Sequence, residues 1–151
     1  MPELLVDFIT SLDGYAAGEG WPGYWGLEDL TRTPKLVFSS TLDEPLDWAN
    51  STLVPGDAVE AVRSMKAEGS TGLRTIGSVS LCRSLLEAGL VDRFRVVVFP
   101  VITGTTGRER IYDEYPDVAL DMTDSRTFDG RIQLLEYVPR VLDGPPLGAG
   151  G

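Results

Sequence analysis

The sequence predicts an α/β fold: a mixed, mainly parallel sheet flanked by helices and closed by a C-terminal antiparallel hairpin. Short apolar runs alternate with helical patterns as far as Gly89, which is typical of parallel strands joined by helices. The run from Phe94 to Phe99 contains three consecutive valines and indicates a strand buried on both faces. Asp129-Gly130, between two further apolar runs, indicates a hairpin.

The 151 residues are enough for one domain with its own core. We expect this domain to cover residues 1–142, followed by a flexible Gly/Pro tail over residues 143–151. Strands are predicted at Leu4–Ile9, Lys35–Ser39, Ser51–Val54, Leu73–Ile76, Phe94–Phe99, Val118–Met122 and Ile132–Val138. Helices are predicted at Asp57–Glu68, with Asp57 as the N-cap, and from Ser78 to a stop at Gly89.

The stretch between Asp13 and Lys35 contains no convincing element of its own. Structureless loops of this length are uncommon in a compact domain, and a parallel sheet that begins at Leu4 needs a crossover helix there. The stretch therefore indicates either a functional lid or the loss of a segment between Trp25 and Thr33, and we favour the second.

Composition excludes several classes of chemistry. The chain has 23 acidic and 13 basic residues, a net charge of −10, so we expect it to bind neither nucleic acid nor membranes. It has no histidine, which removes Ser-His-Asp and Cys-His catalysis and His-ligated zinc. The single cysteine, Cys82, cannot form an internal disulfide or a cysteine metal site. With no apparent signal peptide or membrane span, we expect a cytoplasmic protein that works through carboxylates or a cofactor.

Polar residues that follow predicted strands are the candidate ligand-binding groups. Gly77-Ser78 lies between a strand and a helix, where free backbone N–H groups and the helix dipole suit a phosphate, with Arg74 and Arg83 nearby. Ser39 to Thr41 end another strand and could contact a ribose or phosphate. Asp13 ends the first strand and could position a polar heterocycle. Each of these segments is also compatible with an ordinary turn.

Three segments, taken in chain order, resemble a known family. They read FITSLDGY, PKLVFSSTLDEPLDWANSTLV and IGSVSLCRSLLEAGLVDRFRVVVFPVITGTTG. The chain resembles the dihydrofolate reductase-like fold and, more narrowly, the C-terminal reductase domain of the bifunctional riboflavin-biosynthesis deaminase-reductase with its stand-alone bacterial relatives. The resemblance implies an NADPH-dependent reductase of a small heterocycle, similar to 5-amino-6-(5-phosphoribosylamino)uracil reductase or to dihydrofolate reductase.

The resemblance also implies roles for individual positions. Asp13 matches the turn beside the nicotinamide and the substrate and is the candidate catalytic residue. The implied cofactor-binding residues are Ser39, Ser40, Thr41, Gly77, Ser78, Val79 and Ser80. The first three match the strand end that meets the 2′-phosphate of the cofactor. The last four match the loop that holds its pyrophosphate. The family's C-terminal hairpin pairs subunits, so we also expect a homodimer.

The chain departs from the family pattern in two places. Ser40 stands where the family usually has an arginine, which was the natural partner for a 2′-phosphate. The family also carries a helix, a strand and a cofactor-binding turn between the aromatic loop and PKLVFSS, and this segment is absent here. These departures leave a second hypothesis open, namely a member of the fold that binds a nucleotide or heterocycle without turnover.

Overall fold

The computed structural model describes residues 2–19, 35–38, 51–54, 56–75 and 79–146. The strands are β1 (Leu4–Thr10), β2 (Tyr15–Gly18), β3 (Lys35–Phe38), β4 (Ser51–Val54), β5 (Leu73–Arg74), β6 (Arg93–Val98), β7 (Gly107–Arg110), β8 (Val118–Phe128) and β9 (Ile132–Val141). The helices are α1 (Ala58–Glu68) and α2 (Val79–Glu87).

The largest sheet of the described residues has five strands in the order β5-β1-β6-β9-β8. β1 lies between β5 and β6 and is parallel to both, whereas β9 is antiparallel to β6 and to β8. β3 and β4 form a separate parallel pair. The mixed α/β fold and the C-terminal hairpin predicted from the sequence are confirmed.

Both described helices contribute to the core on one face of the sheet. Alternate residues of β1 point into it and are buried, while those between them are only partly buried. The buried apolar residues are Leu4, Val6, Phe8, Val62, Cys82, Leu85, Leu86, Leu90, Val91, Phe94, Val96 and Ile111. Lys66 of α1 is also buried, where its ammonium group donates to the Leu90 carbonyl over 2.6 Å and pairs with Asp92. That pairing offsets the cost of burying the charge.

The helix ends agree with the sequence signals. The Asp57 carboxylate accepts hydrogen bonds from the backbone N–H groups of Val59 and Glu60, at 2.9 and 3.3 Å, and so caps α1. Beyond α2, Gly89 has a φ of +72° and donates its N–H to the Leu86 carbonyl over 3.0 Å. A glycine suits this left-handed conformation and ends the helix, as predicted.

The opposite face of β1 and β6 carries a row of charges. Asp7 of β1 lies directly opposite Arg95 of β6, whose guanidinium donates to both carboxylate oxygens at 2.7 and 3.2 Å. Arg74 of β5 approaches the same carboxylate to 2.5 Å, and Arg95 lies opposite Glu136 of β9. The prediction that the valine-rich strand is buried on both faces is therefore wrong, because ion pairs occupy this face of β6 and only Phe94 and Val96 are buried.

The C-terminal hairpin is longer than the sequence predicts. β8 extends to Phe128 rather than Met122, because its polar second half continues to pair with β9 beyond a bulge between Met122 and Asp124. After the hairpin, Leu142 donates its N–H to the Asp117 carbonyl over 2.8 Å. The flexible tail over residues 143–151 stays a prediction, and residues 147–151 lie outside the described part of the chain.

A second correction concerns the ends of the early strands. β5 spans only Leu73–Arg74 instead of reaching Ile76, although the Thr75 N–H still donates to the Leu5 carbonyl over 3.0 Å. The stretch after Asp13 contains a strand after all, since β2 pairs antiparallel with β7. This pairing joins segments about ninety residues apart, so local periodicity could not predict it. The region between Trp25 and Thr33 lies outside the described residues.

Candidate functional site

The carboxyl ends of β5, β1 and β6 lie at one edge of the sheet, because these strands are parallel neighbours. Main-chain pairing of β1 with β6 continues beyond the strands: the Phe99 N–H donates to the Thr10 carbonyl and the Leu12 N–H to the Val101 carbonyl, both over 2.8 Å. The turn after β1 and the loop after β6 are thus held side by side. Ligands of open α/β sheets bind at this edge.

Asp13 is the charged residue that this arrangement holds at the edge. Its Oδ1 accepts a hydrogen bond of 2.6 Å from the Ser11 hydroxyl and one of 3.1 Å from the Thr103 N–H. The Ser11 hydroxyl is itself fixed, because it accepts from the Tyr15 N–H over 3.1 Å and from the Thr103 hydroxyl over 3.3 Å. The carboxylate is therefore oriented by both loops, and the bonds from Ser11 and from the Thr103 N–H both run to Oδ1 rather than to Oδ2.

The same contacts keep Asp13 ionised. The hydrogen bond from Ser11 is the largest effect and lowers the pKa of the Asp13 carboxyl below its ordinary value of 3.8. Desolvation acts in the opposite direction, and the hydrogen bonds from Thr103 lower the pKa further. Near neutral pH this side chain is an acceptor of hydrogen bonds and not a proton donor.

Gly104, in the loop after β6, and Gly107, the first residue of β7, have different surroundings. A Cβ built on Gly104 would lie 3.7 Å from Oδ2 of Asp13, so a side chain there would occupy the space next to that oxygen. A Cβ built on Gly107 would lie only 2.5 Å from the Tyr15 ring and from the Thr103 carbonyl oxygen. Gly107 therefore permits the close approach of β7 to β2, and Gly104 leaves room for a ligand.

Three aliphatic residues of these two loops are exposed. Leu12 is 67% exposed, Ile102 73% and Val101 42%. We call these residues the apolar rim. A carboxylate with apolar neighbours suits a flat ring that is polar at one edge and hydrophobic on its faces.

The start of α2 lies beyond β5, at the same edge of the sheet. Val79 is partly buried against the core, and Ser80 is exposed. The residues of its first turn, Val79 to Cys82, include no acidic side chain, so their N–H groups could receive an anion without repulsion from that turn. The two arginines expected to assist are already engaged, since Arg74 pairs with Asp7 and Arg83 pairs with Glu114 at 2.8 Å.

The described residues do not include the other five predicted cofactor residues, which are Ser39, Ser40, Thr41, Gly77 and Ser78. Of the predicted set the structure thus locates Asp13, Val79 and Ser80, the first on the β1 turn and the other two on the helix after β5.

Three further observations narrow the classes of site and protein that the described residues support. Burial raises the pKa of the Cys82 thiol to about 11, so this cysteine is not a nucleophile near neutral pH. Within the described residues no three potential ligands from histidine, cysteine, aspartate and glutamate cluster to form a metal site. None of the helices in the described part of the chain is both long and apolar enough to span a bilayer.

Comparison with known families identifies the domain. Residues 27–134 match the family of RibD C-terminal domains. The chain belongs to this family. The resemblance predicted from the sequence is thereby confirmed. This RibD C-terminal domain is 29% identical over 147 residues to YyaP of Bacillus subtilis, an uncharacterized protein, covering 87% of this chain and 77% of YyaP.

Solved structures with low sequence identity share the fold. A putative riboflavin biosynthesis protein from Shewanella sp. PV-4 superposes with a TM-score of 0.70 at 18% identity, covering 91% of this chain and 99% of that one. The bifunctional deaminase and 5-amino-6-(5-phosphoribosylamino)uracil reductase of Thermotoga maritima gives 0.65 at 13% identity, covering 92% of this chain and 57% of that one. Schistosoma mansoni dihydrofolate reductase superposes with a TM-score of 0.55 at 14% identity, covering 91% of this chain and 98% of that one. The dihydrofolate reductase-like fold is confirmed.

Sequence reasoning missed the residues that orient Asp13. Ser11 and Thr103 hold the carboxylate by hydrogen bonds. Ser11 lies in the same turn as Asp13 and only two residues before it, so its closeness to the carboxylate could have been predicted from the sequence. Thr103 lies 90 residues from Asp13, and only the strand pairing brings the two together.

Proposed function

We propose that this RibD C-terminal domain is an NADPH-dependent reductase of a small nitrogen heterocycle, of the class of 5-amino-6-(5-phosphoribosylamino)uracil. The observation that carries the proposal is the Asp13 carboxylate, oriented by Ser11 and Thr103 at the carboxyl edge of the parallel strands. Membership of the family and the name of the Thermotoga maritima neighbour support the reaction class.

The residues at this edge fit the cofactor in their chemistry. The first turn of α2 offers main-chain donors without an acidic side chain, in a chain whose net charge is −10. On this proposal Gly77, Ser78, Val79 and Ser80 hold the pyrophosphate, and Ser39, Ser40 and Thr41 meet the far end of the nucleotide. When bound, NADPH supplies the hydride, a chemistry for which the chain needs no histidine.

Asp13 positions the heterocycle and does not protonate it. Its lowered pKa keeps the side chain a carboxylate, so Oδ2 can accept hydrogen bonds from ring N–H or amino groups. The bonds from Ser11 and Thr103 set the direction of this acceptor before a ligand arrives, which reduces the entropy lost on binding. The proton that accompanies the hydride must come from another group.

A second candidate function is binding without turnover. Only residues 19–34 connect β2 to β3, whereas the resemblance implies a helix and a further strand in this part of the family. A domain without that segment could retain the heterocycle site at Asp13 and lack part of the cofactor site.

Two measurements on the wild-type chain separate these functions. We expect NADPH to bind, seen as a change in its fluorescence, and its absorbance at the reduced nicotinamide band to fall when the aminouracil substrate is added. Ser40 stands where the family usually has an arginine. We therefore expect the affinity for NADPH to exceed that for NADH by no more than about ten- to a hundredfold, which corresponds to the free energy of about one charge-assisted hydrogen bond. Heterocycle binding without NADPH oxidation would favour the second candidate.

A further inference from the structure

The ring of Tyr112 lies beside the turn that carries Asp13. A Cβ built on Gly14, the residue after Asp13, would lie 3.5 Å from Cδ2 and 3.7 Å from Cε2 of this ring. The residue before Tyr112 also holds the turn, because the Ile111 N–H donates to the Gly14 carbonyl over 3.0 Å. Two consecutive residues after β7 thus reach the turn, one through its main chain and one through its side chain.

Gly14 is the residue of this turn that most needs such support. Its φ is +86°, a value that glycine adopts without strain but that competes with many other conformations open to it. Its N–H donates to the Ser11 carbonyl over 3.1 Å, a bond within the turn itself. The position of the turn relative to the rest of the domain therefore depends on contacts from other segments, and the ring of Tyr112 supplies one of them.

The Tyr112 ring is anchored to the core. Its centroid lies 6.4 Å from that of Phe94, which is 3% exposed, and 5.8 Å from that of Tyr115, in an edge-on arrangement. Aromatic pairs at these distances are stabilising. The Tyr115 N–H also donates to the Tyr112 carbonyl over 3.2 Å. Tyr112 nevertheless remains 49% exposed, so the ring covers Gly14 without being a buried part of the core.

We propose that Tyr112 is a positioning residue of the Asp13 site: packed against Phe94 and over Gly14, its ring holds the turn in the conformation that presents the carboxylate. The inference rests on the proposed function and deepens it. Tyr112 acts on a ligand only through Gly14 and Asp13. It restricts the turn from the side of β7, whereas Thr103 restricts the carboxylate from the loop after β6.

The first test is ligand affinity. Tyr112→Ala removes the ring carbons beside Gly14, so the turn gains freedom that a ligand must remove again. Calorimetric titration with the aminouracil substrate, in the absence of NADPH, is expected to show about three- to tenfold weaker binding. Tyr112→Phe keeps those ring carbons and is expected to restore the affinity of the wild type.

The second test needs no ligand. The Thr103 N–H donates to Oδ1 of Asp13, so its hydrogen exchange, followed by NMR, reports whether the carboxylate is held. The Asp92 N–H, which donates to the Leu4 carbonyl over 3.0 Å at the opposite end of β1, serves as the internal reference. In Tyr112→Ala we expect exchange at Gly14 and Thr103 to be about tenfold faster and exchange at Asp92 to be unchanged.

Val62→Ala separates positioning from a general loss of stability. Val62 lies on α1 and is 4% exposed, so its truncation is expected to lower the melting temperature. We expect this variant to keep the wild-type affinity and the wild-type exchange at Gly14 and Thr103. The proposal is overturned if Val62→Ala accelerates exchange there as much as Tyr112→Ala does, or if Tyr112→Ala leaves that exchange unchanged.

The exchange measurement also separates this inference from the proposed function. A wild type that does not bind the aminouracil, together with faster exchange at Gly14 and Thr103 in Tyr112→Ala, supports the positioning role and refutes the proposed substrate. A wild type that oxidises NADPH with the aminouracil, together with unchanged exchange in Tyr112→Ala, supports the reductase and refutes the positioning role.

Discussion

Asp13 combines exposure with a fixed orientation, and this combination makes its charge available to a ligand. Replacing it with asparagine keeps an oxygen that can accept from Ser11 and Thr103 but removes the negative charge. We expect Asp13→Asn to weaken heterocycle binding about ten- to a hundredfold, because hydrogen bonds to a charged acceptor are stronger than neutral ones. Titration calorimetry checks this. Asp113→Asn, which removes an exposed carboxylate from a later turn, is expected to bind as the wild type does.

The pH dependence of this site follows from the same hydrogen bonds. The pKa of Asp13 in the folded chain lies below its ordinary value of 3.8, so the stabilisation that its ionised form provides is present above that value. It is lost only as the pH falls through the lower folded pKa. We therefore expect no titration of Asp13 to affect ligand binding between pH 5 and pH 8, which a series of binding measurements across that range would test. A loss of affinity centred inside that range and absent in Asp13→Asn would contradict this assignment.

Gly104 and Gly107 lie three residues apart and have different roles. At Gly107 a methyl group would meet the Tyr15 ring and the Thr103 carbonyl at 2.5 Å, so Gly107→Ala is expected to destabilise the fold by about 1–3 kcal/mol. At Gly104 the methyl group would meet Oδ2 of Asp13 at 3.7 Å and no other atom of the described residues within 4 Å, so Gly104→Ala is expected to keep the stability and weaken heterocycle binding. Urea unfolding and titration calorimetry on both variants distinguish them. If the two variants had the same free energy of unfolding, β2 and β7 would be able to move apart without loss of stability.

At the scale of elements, the first turn of α2 offers a test that separates folding from cofactor binding. Ser80→Asp places a carboxylate where the helix dipole favours it, so we expect the stability to stay the same or to rise by about 0.3–1 kcal/mol. The same charge would repel a pyrophosphate on this turn, so NADPH binding is expected to weaken at least tenfold. Ser84→Asp, one turn further along α2, is the matched control and is expected to have a smaller effect on NADPH. Unchanged NADPH binding by Ser80→Asp would place the pyrophosphate elsewhere.

At the scale of the whole molecule, the long edge strand β8 is the feature that bears on assembly. It is the outer strand of the five-stranded sheet in the described chain, and it exposes Leu120 and Met122. An exposed apolar edge strand is prone to pair with another chain. We propose that it pairs two copies of this domain, as the resemblance implied. Sedimentation equilibrium at tens of micromolar is expected to give twice the chain mass of 16.4 kDa.

A substitution on β8 makes this prediction specific. Met122→Lys, on the exposed strand, is expected to shift the equilibrium towards the monomer, because association would bury a charge. Thr105→Lys, in the loop after β6, introduces the same charge away from β8 and serves as the control. It is expected to leave the dimer intact. A wild type that sediments as a monomer would refute the proposal.

The fold class, the start of α1 and the end of α2 could be predicted from the sequence, because they depend on signals within short segments. The apolar spacing of α1, its cap at Asp57 and the glycine after α2 each act within a few residues. Asp13 could also be singled out, since it ends an apolar strand in a turn. The family resemblance added the candidate cofactor-binding residues, of which the described structure locates Val79 and Ser80.

The tertiary structure decided what depends on contacts between distant segments. The β2–β7 pairing, the Asp7–Arg95 ion pair and the bond from Thr103 to Asp13 each join residues about ninety positions apart. No local pattern encodes such pairs, because they form only when the register of β1 against β6 is set. The carboxylate at the site was thus visible in the sequence, whereas its orientation and its apolar rim came from the packing of two loops.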